Sequence, residues 1–187
     1  VNDIRVATLD DLPELASTLA EAFDGDPVWT WMVPRHRSKE LIFASLLRHT
    51  IPRGHVFTMA GNQAVTMWSP PGQWKLPNIA VLKSVVPIVR AAGLRLPRLL
   101  GRLTAIEKLH EKVRPAHWYL EFIGTSRMAR GKGLGSELLK HAPSQDMPVY
   151  LESSNPRNLS FYQRHGFTIT GAPPMKAGPP QWTLWRD

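Results

Sequence analysis

Arg130-Gly131-Lys132-Gly133-Leu134-Gly135-Ser136 is the stretch on which the reading of this chain turns. A strand-like run, His117 to Thr125, precedes it, and a helix-like run, Ser136 to His141, follows it. Glycines at 131, 133 and 135 let the backbone bend tightly with no Cβ in the way. A helix starting there leaves several amide N–H groups free. Free donors and the helix dipole both favour an anion, so the bend suits a phosphate. Arg130 and Lys132 add full positive charges. The backbone of residues 130–135 therefore reads as a pyrophosphate cradle. It is not a dinucleotide G-x-G-x-x-G loop, because Ser136 stands where the last glycine belongs. Nor is it a nucleoside-triphosphate loop. Gly133 follows Lys132 in place of Ser or Thr, and no glycine lies five residues before Gly131.

Downstream, Val149-Tyr150-Leu151-Glu152 reads as a short buried strand. Pro156 suits a first helical turn, Asn155 its cap, and Gly166 the position just past its end. A helix from about 156 to 165, then another strand, is expected.

The pattern Arg130-x-x-Gly133-x-Gly135 resembles the acetyl-CoA loop of the GNAT N-acetyltransferase superfamily. The run Asn155 to Phe167, in which Tyr162 precedes Gly166-Phe167 by four residues, resembles that family's second signature. Ile4 to Pro13, His117-Trp118-Tyr119-Leu120 and Leu151 to Asn158 resemble the branch of puromycin N-acetyltransferases and their bacterial relatives. The likeness is thin from about Ile42 to Val113, where an acceptor would be chosen. The resemblance implies an α/β (α+β mixed) fold: a central twisted, mostly antiparallel sheet with one splayed parallel strand pair, flanked by helices. It also implies acetyl-CoA as acetyl donor and a small-molecule primary amine as acceptor, with direct attack in a ternary complex. An aminonucleoside or other antibiotic-like amine is the suggested class. Acetylation of protein lysines or N-termini is the alternative, and it would need an open groove.

The residues bound the remaining choices. At 187 residues the chain suits one domain, taken as 1–187. No run of eighteen apolar residues exists, so no membrane span is expected. Asp3, Asp10 and Asp11 replace the basic-then-apolar start of a leader, and Val1 suggests a start methionine removed. Zero cysteines exclude disulfides and thiolate chemistry and fit a reducing cytoplasm, the expected location; no metal site is expected. Net charge is +8, concentrated in Lys83, Arg90, Arg95, Arg98, Arg102, Lys108, Lys112 and Arg114 against Glu107 and Glu111. Such a surface attracts the anionic CoA, or else nucleic acid or lipid. No aromatics interleave these cations and prolines interrupt the segment, so neither nucleic acid nor membrane is the expected partner. A monomer or homodimer is expected.

Along the chain, Ile4–Thr8 reads as a strand and Leu9–Phe23 as a helix capped by Thr8 and broken at Asp24-Gly25-Asp26-Pro27. Ser38–His49 reads as a helix, and 55–60 with 64–69 as a hairpin turning at Gly61-Asn62-Gln63. Pro87 and Pro97 punctuate a helical middle, after which Leu99, Leu103, Ile106, Leu109 and Val113 form an apolar stripe. The arginines at 90–102 read as a solvated face. Strand 117–125, loop 126–132, helix 133–142, strand 148–152 and helix 156–165 make a parallel pair with a crossover, closed by strands at 167–170 and 182–185. The connection 136–148 is short and cut by Pro143, so its helix is either stubby or lacks residues.

Acetyl transfer needs a held cofactor, a neutral amine and a protonated leaving thiolate. The resemblance places the pantetheine arm between the strands at 117–125 and 148–152. Backbone groups near Phe122 and Ile123 then face the thioester, Asn155 and Asn158 bond the arm, and Leu134 and Ser136 complete the phosphate loop. Asn155 serves equally well as a helix cap. The resemblance makes Tyr162 the general acid, since a phenol is protonated at neutral pH; the plain alternative is packing against Phe161 and Phe167. Glu152 and Glu121, carboxylates inside strands, are the candidate bases, Glu152 slightly favoured; the bland account turns them outward or pairs them with arginine. His117 and His165 are weaker candidates. Trp29, Trp31, Trp68 and Trp74 divide between acceptor wall and core.

Overall fold

The computed structural model describes residues 3–75, 78–113, 115–143 and 146–187, and no side chain of 78–84. Val1, the Lys83 side chain, Arg114 and residues 144–145 of the short connection lie outside the described residues.

Seven strands form one sheet in the order β1-β2-β3-β4-β5-β7-β6. They are β1 (Arg5–Val6), β2 (Val56–Met59), β3 (Ala64–Ser69), β4 (Trp118–Thr125), β5 (Val149–Ser153), β6 (Thr168–Gly171) and β7 (Trp182–Arg186). Every pairing is antiparallel except β4 with β5. That parallel pair registers only at Trp118↔Val149 and Tyr119↔Tyr150. Beyond it, β4 keeps its bonds to β3 through Thr125, and β5 keeps its bonds to β7 through Ser153. The two inner edges part, as the resemblance implied. The β3–β4 register steps from Met67↔Phe122 to Trp68↔Leu120, leaving Glu121 as the extra residue of a β-bulge.

The helices are α1 (Leu12–Ala22), α2 (Pro27–Met32), α3 (His36–Thr50), α4 (Asn78–Ala92), α5 (Leu96–His110), α6 (Leu134–Lys140) and α7 (Leu159–Arg164). The Asp11 carboxylate accepts from the Thr8 N–H at 2.8 Å and its hydroxyl at 3.0 Å, closing the expected start of α1. Arg5 and Asn62 bind the same carboxylate, tying β1 and the β2–β3 turn to α1. Those bonds, Arg5's first, hold Asp11 well below the usual carboxylate range.

On one face of the sheet, α1 and α3 bury Leu15, Leu19, Phe43 and Leu47. Phe23, Trp29, Phe43 and Phe122 form an aromatic knot there, Trp29 stacked on Phe43 at 4.5 Å. A second core joins Trp68, Leu120, Leu139, Val149, Leu151, Tyr162, Phe167 and Leu184.

Three expectations change. The break at 24–27 is itself a helix start: the Asp26 carboxylate caps α2 through the Trp29 N–H at 2.9 Å, and Pro27 fills its first turn. Helix α4 runs through Pro87, packed along α3, so tertiary packing offsets the lost backbone bond. Pro97 sits in the first turn of α5 after a 3-10 turn at Gly93–Arg95, where proline is well placed. The inward face of α5 is Leu99, Arg102 and His110, while Leu100 and Leu103 point outward. Polar side chains turn in because each finds hydrogen-bond partners inside.

Helix α1 lies directly on β4 at Gly124. A Cβ there would sit 2.7 Å from the Ala22 Cβ and 3.2 Å from Leu19 Cδ2. Gly124→Ala is expected to destabilise the fold by about 1–3 kcal/mol, read as a lowered urea midpoint with an unchanged m-value.

Candidate active site

Beyond β4 the chain makes a 3-10 turn, Arg127–Ala129, and then bends through Gly131 (φ 77°) and Gly133 (φ 81°) into α6. Those two backbone angles exclude most side chains. The N–H groups of Arg130 and Lys132 turn back to Arg127 and Ala129. Among the described residues, those of Gly131, Gly133, Leu134 and Gly135 have no partner. Four of the six amides at 130–135 are thus free to meet an anion.

These amides border a cleft of about 780 Å³. Ile123, Gly124 and Thr125 supply the β4 edge, Asn155, Asn158, Phe161 and Tyr162 the opposite wall, and Ala22, Asp24, Gly25 and Asp26 the rim. Arg130, Gly135 and Ser136 also line it. Lys132 does not; its side chain is exposed. Phe122 does not either, because its ring belongs to the aromatic knot, leaving only its backbone for the splay. Arg130 donates to the Glu21 carbonyl at 2.9 Å, and Arg127 pairs with Asp24 at 2.7 Å, so both cations anchor the loop to the end of α1. Arg157 and Arg164 add charge to the far wall; sequence reading passed over them as ordinary helix residues.

Asn155 Oδ1 accepts from the Arg157 N–H at 3.1 Å, so it caps the short 3-10 turn Pro156–Asn158 while still facing the cleft. The Tyr162 ring packs beside Phe161 and Phe167 at 5.3 and 5.9 Å, yet the residue also lines the cleft. Burial, then the nearby Asp26, raises its phenol further above neutrality.

Comparison with known proteins agrees with this geometry. The family model described as an acetyltransferase (GNAT) domain matches residues 98–169. An uncharacterised N-acetyltransferase of Schizosaccharomyces pombe is 27% identical over 176 residues, covering 84% of this chain and 70% of that protein. A 5-NmdU N-acetyltransferase of Pseudomonas phage PaMx11 is 32% identical over 75 residues, covering 38% of this chain and 54% of its own length. A solved histone acetyltransferase and related acetyltransferase from Corynebacterium glutamicum superposes over 99% of this chain and 95% of its own, with TM-score 0.68 and 25% identity. The Drosophila melanogaster polyamine N-acetyltransferase shares the fold at TM-score 0.65 and 16% identity, over 99% of both chains.

The matched segment and the fold are those of a GNAT acetyltransferase domain. The chain is an acetyltransferase. In this enzyme Glu121 and Glu152 are half-buried beside the splay and do not line the cleft. The Glu121 carboxylate accepts from the Ser69 hydroxyl, and burial raises its pKa. Glu152 Oε2 accepts from the Tyr119 hydroxyl at 2.6 Å. Burial pushes Glu152 up to about 7, against the opposing pull of the tyrosines. Among the described residues neither forms an ion pair with an arginine. Sequence reading missed a third carboxylate, Asp26. It lines the cleft, is 6% exposed, and accepts from the Ser154 hydroxyl at 2.6 Å. Burial raises its pKa. The Asp26-Pro27 pair was the available signal, read only as a breaker.

The solvated-arginine reading is corrected at two positions. Arg102 is 3% exposed and donates to the carbonyls of Ala177 and Pro179 at 3.0 and 2.8 Å. Its guanidinium lies over the Trp31 ring at 5.5 Å, and Arg95 donates to the Trp31 carbonyl at 3.0 Å. A planar guanidinium can stack and donate at once, which lets α5 clamp α2 and the β6–β7 loop together. Trp29 and Trp68 are core; Trp31 and Trp74 are half-buried. His165 Nδ1 donates to the Phe161 carbonyl at 2.8 Å, a structural bond.

Burying Glu152 sets a pH signature. A folded-state pKa raised from 4.5 to about 7 gives stability present below 4.5 and lost as pH rises through 7. Glu152→Gln removes that loss. The variant is expected to be more stable than the parent at pH 8, by up to about 3 kcal/mol, and no more stable at pH 4. Urea denaturation at the two pH values measures the difference.

Proposed function

We propose that this enzyme moves the acetyl group of acetyl-CoA to a primary amine of a small molecule, by direct attack in a ternary complex. One observation carries the reading: four unpartnered backbone N–H groups border a cleft that leads into the β4–β5 splay and past Tyr162. The donor supplies a thioester-activated acetyl group. Gly131, Gly133, Leu134 and Gly135 hold its diphosphate through their amides, helped by Arg130 and Ser136, while Lys132 adds charge at the surface. The freed edge of β4 at Phe122 and Ile123, with Asn155 and Asn158, holds the pantetheine arm. Tyr162 keeps its proton at neutral pH and gives it to the departing thiolate. Glu152 or Glu121 takes the amine proton through a water. With Glu152 titrating near 7, turnover that depends on it rises through neutral pH.

Two features favour a compact amine as acceptor. Arg102 clamps the 177–181 loop onto Trp31, and in this reading that loop closes over the acceptor side. A closed wall suits a small amine better than a polypeptide. Relatives named for 5-NmdU, polyamine and agmatine acetylation, with the resemblance to the puromycin branch, favour an aminonucleoside or similar compact amine. We read the whole chain as one acetyltransferase domain, a monomer or homodimer in the cytoplasm. Among the described residues no helix is long and apolar enough to cross a membrane.

Tyr162→Phe is expected to lower turnover by about a hundredfold or more and to leave acetyl-CoA affinity within twofold. Thiol release with puromycin, polyamines, aminoglycosides and peptides, beside calorimetric acetyl-CoA titration, reads both. Unchanged turnover removes Tyr162 from the chemistry, and activity on peptides alone overturns the small-molecule reading.

A further inference from the structure

A second hollow, of about 460 Å³, opens at the start of β5, whereas the cofactor cleft meets that strand past its end. Leu109, Pro115, Tyr150, Thr170, Thr183 and Trp185 are among the residues that bound it. Between this hollow and Glu152 stands a cluster of rings. His110 stacks on Trp74 at 4.2 Å and on His117 at 5.0 Å. It meets Tyr119 at 4.4 Å and Tyr150 at 5.2 Å, both at steep angles. Among the described residues His110 Nδ1 has no hydrogen-bond partner, and the Tyr150 hydroxyl and Glu152 Oε1 have none of good geometry, only each other's proximity, through which the phenol opposes the burial that raises the carboxyl. Buried polar atoms are nearly always paired, so a bare histidine nitrogen beside such a pair calls for a reason.

The tautomers follow from the bonds. His117 Nδ1 lies 2.8 Å from the Pro115 carbonyl, which can only accept, so Nδ1 carries the proton. With a single proton, on Nδ1, His117 offers Nε2 as acceptor, and His110 Nε2, 3.0 Å away, donates to it. His110 Nδ1 is left bare, a buried acceptor in the cluster that holds Tyr150 and Glu152. Each histidine also touches residues that bound the hollow, His110 through Tyr150 and His117 through Trp185.

We propose that this cluster is the exit route for the proton released by acetyl transfer, running from Glu152 past the Tyr150 hydroxyl and through the His110–His117 pair into the hollow. The proposal rests on the acetyltransfer reading above. The proton balance is simple. An ammonium acceptor and the thioester give an amide, a thiol and one proton; Glu152 takes that proton. A proton entering at His110 Nδ1 moves the Nε2 proton on to His117 Nε2 and releases the His117 Nδ1 proton to solvent in the hollow; the pair gains no charge, both tautomers are exchanged, and flipping of the two rings restores them before the next cycle. Burial, and then the facing His117, holds His110 down to about 4, so it is neutral at rest and passes a proton without storing it. The other titratable groups around the path are Tyr119 and Glu121 on β4, and Lys112 and Asp187 at the hollow. His110 and His117 are positioning residues in this scheme, acting through Glu152.

His110→Phe keeps the ring stack and removes both nitrogens. It is expected to lower kcat about tenfold, leave the KM for acetyl-CoA within twofold, and flatten the rise of rate with pH. His110→Ala should regain rate as free imidazole is added, which a purely structural role would not produce. Thr170→Trp, at an exposed residue of the hollow, should lower kcat with folding intact, and it decides the matter if the His110 variants fail to fold. Folded variants with parental kcat and pH profile overturn the route. Nitrogen-15 NMR of the histidines gives a readout independent of turnover: protons on His117 Nδ1 and His110 Nε2 support it, and the reverse assignment overturns it. A parent protein that binds no acetyl-CoA fails the acetyltransfer reading instead, and that result shows in titration before any variant is made.

Discussion

The site depends on a pair of strands that stop holding each other. β4 and β5 register over two residues and then separate, each still bonded on its outer side, to β3 and β7. A sheet normally leaves no interior edge unpaired, because buried amides without partners are costly. Here the cost is met at the rim: the split opens into a cleft, so its edges can be solvated or can bond a ligand. The glycine bend after β4 extends the same logic, adding free amides at the mouth of the same opening. A pantetheine arm with its own amides is chemically matched to the gap, and a diphosphate to the bend.

Around that opening the chain buries an unusual amount of polar chemistry. Glu121 is carried by a bulge in β4, and Glu152 by β5 where the strands part. Tyr119, Ser69, Tyr150 and the two histidines form its surroundings. A fold selected for stability alone would fill this space with apolar side chains. Glu152, raised to about 7, has the pKa of a group that exchanges protons near neutrality, and burial raises Glu121 in the same direction.

Much of this was legible in residue order. The glycine bend, the strand before it, the hairpin at 61–63 and the Asn155–Phe167 run are local signals, and the structure forms each near the expected bounds. What sequence could not show were facts about direction. The stripe Leu99, Leu103, Ile106, Leu109 looked like the buried face of α5, but Arg102 and His110 turn inward because Ala177, Pro179 and His117 wait for them. Ala177 and Pro179 lie 75 and 77 residues from Arg102, so no local window contains them. Asp26 was hidden differently: its Asp-Pro signal was visible, but only the approach of Ser154 and the cleft gives it a second role. Pro87 was misjudged because propensity ignores the support α4 receives from α3.

The central claim is that the bend after β4 holds a diphosphate by its own backbone. A nitrogen-15 amide NMR titration with CoA tests it at single residues. The account predicts that the amide protons of Gly131, Gly133, Leu134 and Gly135 move downfield together along one saturable curve. If those four signals stay still while saturable shifts gather elsewhere, for instance along α5, the bend is only a turn and the claim is wrong.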